Sequence, residues 1–182
     1  MRNPRLIREI IEIVALVLLF LVAVHFTLQS YHVRDAGMQP SLSPNSYVMV
    51  NKVAYIFRPP ERGDVIVFHF PFNTNQDYIE RVIGLPGDTV QIDSTRIWVN
   101  GVELKEPYVQ TPVNPVAKTW KIPTNKYLVM NDNRLFDNDS RSWDYVPKDF
   151  IVGKAVVIYW PSTSWQFINT YTAAYNSIKS GH

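Results

Sequence analysis

Arg96-Ile97-Trp98-Val99-Asn100-Gly101-Val102-Glu103-Leu104 carries the sharpest short-range folding signal in the chain. Three of its first four residues are β-branched or aromatic, and they run into Asn-Gly. That pair tolerates the positive φ of a two-residue hairpin turn, and Val102 to Glu103 leads back. The stretch therefore reads as two antiparallel strands joined by a tight turn.

Outward from it the same grammar repeats. Thr89-Val90-Gln91-Ile92 follows the turn signal Pro86-Gly87-Asp88. Val65 to Phe70 and Tyr47 to Val50 are β-rich runs bounded by Arg-Gly-Asp and Pro-Asn. Lys126 to Met130 and Ala155 to Trp160 complete the set, while Thr111 to Lys118, with Pro112 and Pro115, reads as an exposed loop. Thirteen prolines, ten Tyr, nine Phe and five Trp favour short strands and turns over a helical bundle. The expected fold class is mainly β, a folded β-sheet system or partial barrel spanning residues 29–161.

Ahead of this domain lies a different composition. Arg2, Arg5 and Arg8 precede an apolar run from Ile10 to Leu28, broken only by Glu12 and His25 near its ends. At about 1.5 Å per helical residue the run approaches the ~30 Å of a bilayer's hydrocarbon core. The arginines place residues 1–9 in the cytoplasm and everything after Gln29 outside. A cleavable signal peptide is the competing reading. The run is long for one, and Leu28-Gln29-Ser30-Tyr31 is not a small-x-small cleavage site, which favours an uncleaved single-pass anchor in the cell membrane.

A net charge of +2 without a basic stripe argues against nucleic acid as a partner. The chain has no cysteine, which excludes disulfides, thiolate catalysis and Cys-ligated zinc. Neither a cofactor nor a resident metal is expected.

Four collinear segments carry a resemblance. They are Gly37-Met38-Gln39-Pro40-Ser41-Leu42, Arg62 to Phe68, Asp77 to Asp88, and Asn131-Asp132-Asn133-Arg134 continuing to Asp139-Ser140-Arg141. In order and separation they resemble the boxes of type I signal peptidases, the bacterial leader peptidase family. The resemblance runs from the anchor to about Pro161. It implies a β domain on the outer membrane face and a serine/lysine dyad that cuts signal peptides near the bilayer. It also places Met38 and Pro40 beside the substrate cleft. Arg81, Asp132, Arg134, Asp139, Ser140 and Arg141 fall on motif positions, and the three arginines are expected to pair with Asp132 or Asp139 and hold the fold together. Ser140 matches a serine that assists the lysine in the family.

The departures bear on function. The resemblance puts the nucleophile at Gly37, which has no oxygen to attack a carbonyl, and the general base at Glu80. A carboxylate carries the opposite charge to the lysine whose neutral amine takes the serine proton. Asp35 stands where some members place an oxyanion donor, Asp137 replaces a usual serine, and Asn131 replaces a glycine. Asp35, Glu80 and Asp137 could converge as three carboxylates on the former active site, or Glu80 could pair with a neighbouring arginine such as Arg81.

The expected function is a non-catalytic homologue that binds signal peptides, preproteins or a partner peptidase. Two alternatives stay open: a working serine-type signal peptidase using unconventional residues, and a carboxylate-based metal site. In the tail, residues 162–182, Trp165, Ile168, Tyr171, Tyr175 and Ile178 are spaced by three and four, which suggests one helical face for the membrane surface or a partner.

Overall fold

A computed structural model describes residues 4–93, 95–112 and 117–179. Helix α1 spans Pro4–Thr27, and its Ile7–Thr27 stretch is long and apolar enough to cross a membrane. Its Ile and Leu side chains lie exposed, with no part of the domain packed over them. The Thr27 hydroxyl donates to the Ala23 carbonyl in the last turn, and Leu28, read in the sequence as the end of the apolar run, already opens a strand.

The strands follow as β1 (Leu28–His32), β2 (Tyr47–Asn51), β3 (Val65–Phe70), β4 (Asn73–Gly84), β5 (Thr89–Asp93), β6 (Arg96–Val99) and β7 (Val102–Glu103). After the loop come β8 (Lys118–Lys121) and β9 (Lys126–Met130), a single helical turn α2 (Ser140–Trp143), then β10 (Val146–Pro147) and β11 (Ile151–Trp160). The chain closes with β12 (Gln166–Phe167) and the turn α3 (Thr172–Tyr175). Among the described residues the larger sheet has the order β1-β2-β11-β3-β4-β9-β10, with β12 added on β11, and the second has the order β7-β6-β5-β8. The architecture is mainly β behind an N-terminal apolar helix. Of the loop read at Thr111 to Lys118, residues 113–116 lie outside the described residues, and Lys118 begins β8.

Side-chain period explains the layering. β5 and β6 alternate, so Val90, Ile92, Ile97 and Val99 share one core with Trp120, Leu128 and Met130. β3 is apolar from Val65 to Phe68 because both its faces are covered there. Val65 and Val67 enter a second core with Val48 and Val50, while Ile66 and Phe68 enter a third with Val82 and Val129. Asn100 and Gly101 adopt φ of 50° and 78°, as a two-residue hairpin requires. Asn100 also ties the hairpin back, accepting from Thr89 N at 2.8 Å and donating to Asp88 at 2.8 Å.

The tail departs from its helical spacing. β12 pairs with β11, which holds it extended, and Tyr171 at φ 49° then interrupts any longer helix. Tyr175 and Ile178 are 6% exposed in the first core, and Ile168 packs on the second, while Trp165 and Phe167 stay exposed. Gly63 makes this path possible. A Cβ there would stand 2.0 Å from the Thr170 carbonyl oxygen.

Candidate functional site

β4 sends successive side chains to opposite faces, and this separates Glu80 from Arg81. Arg81 is fully buried and bidentate with Asp132, at 2.8 Å from Nε and 2.7 Å from Nη2. It also donates to the carbonyls of Gly63 and Asn169 and lies 4.3 Å from the centre of the Tyr108 ring. Arg81 thus clamps the second sequence box, the fourth box and the tail together. Glu80 points the other way, so it cannot pair with Arg81 as the sequence allowed.

Glu80 lines a cleft of about 260 Å³ with Tyr31, Arg34, Asp35, Asp77 and Asn131, among others. Its side chain is almost wholly buried and, among the described residues, Oε2 has no hydrogen-bond partner. Desolvation is the main cause that holds its carboxyl well above the ordinary carboxylate range. Asp139 and Asp35 add to the effect, and Arg141 and Arg134 oppose it.

Gly37 sits in the tight turn that follows β1. Its N–H donates to Asp35 Oδ1 at 2.8 Å, and its carbonyl accepts from Asn133 N at 2.8 Å. A Cβ on Gly37 would stand 2.4 Å from Asn131 Oδ1 and 3.0 Å from Asp35 Oδ1. Asn131 is held by Asp139, which accepts its N–H at 3.0 Å, and its own amide nitrogen reaches the carbonyls of Phe136 and Asn138 at 3.4 Å. Gly37 and Asn131 therefore fit each other.

The remaining positions separate. Asp137 is exposed and outside the cleft, so two carboxyls, Asp35 and Glu80, meet where three were expected to converge. Among the described residues no group of three His, Asp or Glu is placed to hold a metal ion. Met38 is 1% exposed within the second core, and Pro40 lines a separate groove beside Phe167 and Tyr171; neither borders the Glu80 cleft. Ser140 is buried and accepts from Val129 N at 3.0 Å, a structural bond. Asp139 caps α2 and pairs with Arg141 at 2.8 Å, but Arg134 pairs with the buried Glu106 instead of Asp132 or Asp139. Glu106 lies in a proline-flanked segment with no periodicity to announce it. The buried Arg62–Asp88 pair, 2.6 Å, and the Asp64–Lys154 pair were equally silent, although Arg62 and Asp64 belong to a quoted box.

The family model described as "Signal peptidase, peptidase S26" matches residues 6–160. The chain belongs to the peptidase S26 signal peptidase family. Relatives in that family include a signal peptidase I of Leptolyngbya laminosa, 41% identical over 75% of this chain and 70% of its own length. A signal peptidase IB of Staphylococcus aureus (strain MRSA252) is 36% identical over 91% of this chain and 95% of its own. A solved signal peptidase I from Enterococcus faecalis V583 is 29% identical, covering 53% of this chain and 97% of that one at a TM-score of 0.48.

Proposed function

We propose that this signal peptidase homologue is non-catalytic and holds an extended peptide, a signal peptide or a segment of a partner peptidase, at the outer face of the cytoplasmic membrane. The carrying observation is Gly37. It lacks a nucleophilic oxygen, and the space its side chain would need is taken by Asn131 Oδ1 at 2.4 Å. With Asn131 as it stands, the turn leaves no room for a side chain at residue 37. Glu80 supports the same reading. It has no amine, and ionised it would carry a negative charge where the resembled dyad has a neutral amine. With both members of a dyad gone, the residual chemistry is that of binding.

The apolar helix and the family fit a membrane-anchored protein. The arginines ahead of the helix support a cytoplasmic N-terminus and an external β domain. Binding an extended peptide would draw on main-chain hydrogen bonds to strand edges, which need neither serine nor amine.

Full-length protein in detergent, incubated with a preprotein and followed by mass spectrometry, tests the reading. No cleavage product and no acylation by a penem inhibitor are expected. Cleavage persisting after host peptidase has been removed would place the chain among working peptidases.

A further inference from the structure

The cleft around Glu80 has a chemical character that the loss of catalysis does not require. Its wall carries three carboxyl groups, Asp35, Asp77 and Glu80, against one guanidinium, Arg34. Asp77 is engaged by His69 at 2.6 Å and Asp35 by the Gly37 N–H at 2.8 Å. Glu80 is different. It is buried at 2% exposure, it borders the cavity, and its Oε2 meets no donor among the described residues. Buried polar atoms without partners are rare in folded proteins, and this one belongs to a residue that lines the cleft.

We infer that this cleft is a binding site for a primary ammonium group, the side chain of a lysine in an extended peptide segment, with Glu80 as its counter-ion. The inference rests on the peptide-holding reading above and adds the side-chain class that the cleft selects. An ammonium brings donors in several directions, so it can serve Glu80 and the adjacent Asp35 together. A flexible four-carbon stem reaches a buried acid from a backbone lying outside the cleft. Tyr78 and Phe136 offer aromatic wall for that stem, and Tyr78 is fastened by Asn138, whose amide donates to the Tyr78 hydroxyl at 3.1 Å.

The site behaves differently from one built for apolar peptide, and pH separates the two. Desolvation, then Asp139 and Asp35, raises the Glu80 carboxyl in the empty cleft, opposed by Arg141 and Arg134, with Arg34, Asp77 and Tyr31 also lining the cleft. An entering ammonium favours the ionised form and lowers that raised value, so binding releases a proton in the pH range between the two. Lysine affinity must then rise with pH, while affinity for a neutral side chain must fall as Glu80 ionises beneath it.

The experiment uses the full-length protein in detergent and two blocked pentapeptides, Ala-Ala-Lys-Ala-Ala and its norleucine counterpart, which has the same stem without the charge. Calorimetry is run between about pH 5 and about pH 9 in buffers of different ionisation enthalpy. The lysine peptide should bind about tenfold or more tightly than norleucine at the alkaline end and release a proton. Glu80→Gln should remove the preference and the pH dependence of norleucine binding, with thermal unfolding showing that the variant is folded. A lysine preference that survives Glu80→Gln overturns the inference, as does norleucine binding equally well at every pH. In either case peptide holding itself stands. Binding of neither peptide overturns both readings. Saturable, Glu80-dependent binding of calcium alone overturns the ammonium site in favour of a metal site.

Discussion

Asn131 Oδ1 lies 2.4 Å from the point where a side chain on Gly37 would begin, closer than real Cβ contacts come. The two residues are neighbours in space because Asn133 N donates to the Gly37 carbonyl and Asn133 Nδ2 donates to Ala36, stitching the turn after β1 to the loop after β9. As Asn131 stands, residue 37 has no room for a side chain.

Restoring the hydroxyl should therefore be costly. Gly37→Ser is expected to lower stability by about 1–3 kcal/mol through overpacking against Asn131. Adding Asn131→Gly should recover much of that loss, and denaturation of both singles and the double would measure the coupling. Neither variant should cleave a preprotein, since Glu80 supplies no amine base. Activity in Gly37→Ser alone would reveal a base that the dyad reading omits.

Glu80 predicts a signed pH dependence. Its carboxyl is raised in the folded protein above the ordinary value of 4.5, chiefly by desolvation, so the folded state holds the proton more tightly than the unfolded chain does. Its contribution is fully present below the ordinary carboxyl range and is lost as pH climbs through the folded value. Glu80→Gln, uncharged at all pH, should gain on the wild type by up to about 1.4 kcal/mol per pH unit across that window. Parallel stability profiles for the two proteins would refute this. The comparison must be a difference, because Glu106 is also raised by burial and shifts both profiles alike.

The Arg81–Asp132 pair is the structural centre of the motif residues. Arg81→Ala leaves Asp132, fully buried, without its bidentate partner and frees the Gly63 and Asn169 carbonyls. A loss of about 3–5 kcal/mol is expected, with Asp132→Ala similar and the double mutant well short of their sum. Thermal unfolding in detergent reads all three. Additive losses would mean that the pair acts as two independent residues.

The tail is part of the domain. Tyr175 sits in the first core, and its hydroxyl is hydrogen-bonded to that of Tyr108 at 2.5 Å. Tyr175→Ala should cost about 3–5 kcal/mol, as truncating a buried aromatic does, whereas Trp165→Ala should stay within about 0.5 kcal/mol. Equal effects would mean that the tail packs more loosely than its burial indicates.

The proposed external placement of the β domain has its own test. A reporter active only outside the cytoplasm, fused after His182, should give signal, and a cytoplasm-only reporter should not. The opposite pattern would reverse the orientation drawn from Arg2, Arg5 and Arg8.

What the residues alone determined was local or categorical. The Asn100–Gly101 hairpin, the β3 strand and the apolar helix follow from turn chemistry and from side-chain period, which act between near neighbours. That residue 37 has no hydroxyl and residue 80 no amine is likewise complete in the sequence once four boxes set the register. Strands lacking apolar alternation were not legible. The first half of β4, Asn73 to Asp77, and the two-residue β10 and β12 exist because partner strands pair with them. The tail's spacing of three and four fitted a helix, yet pairing with β11 and the close approach over Gly63 decided its path. The site was decided in the same way. Facing sides of β4 sent Arg81 to Asp132 and Glu80 into the cleft, Arg134 found Glu106 from a segment without pattern, and Asp137 fell outside. Sequence spacing carries the period of one strand. Which buried charge meets a partner, and which meets only a cavity, depends on contacts between segments far apart in the chain, and only the tertiary structure brings those together.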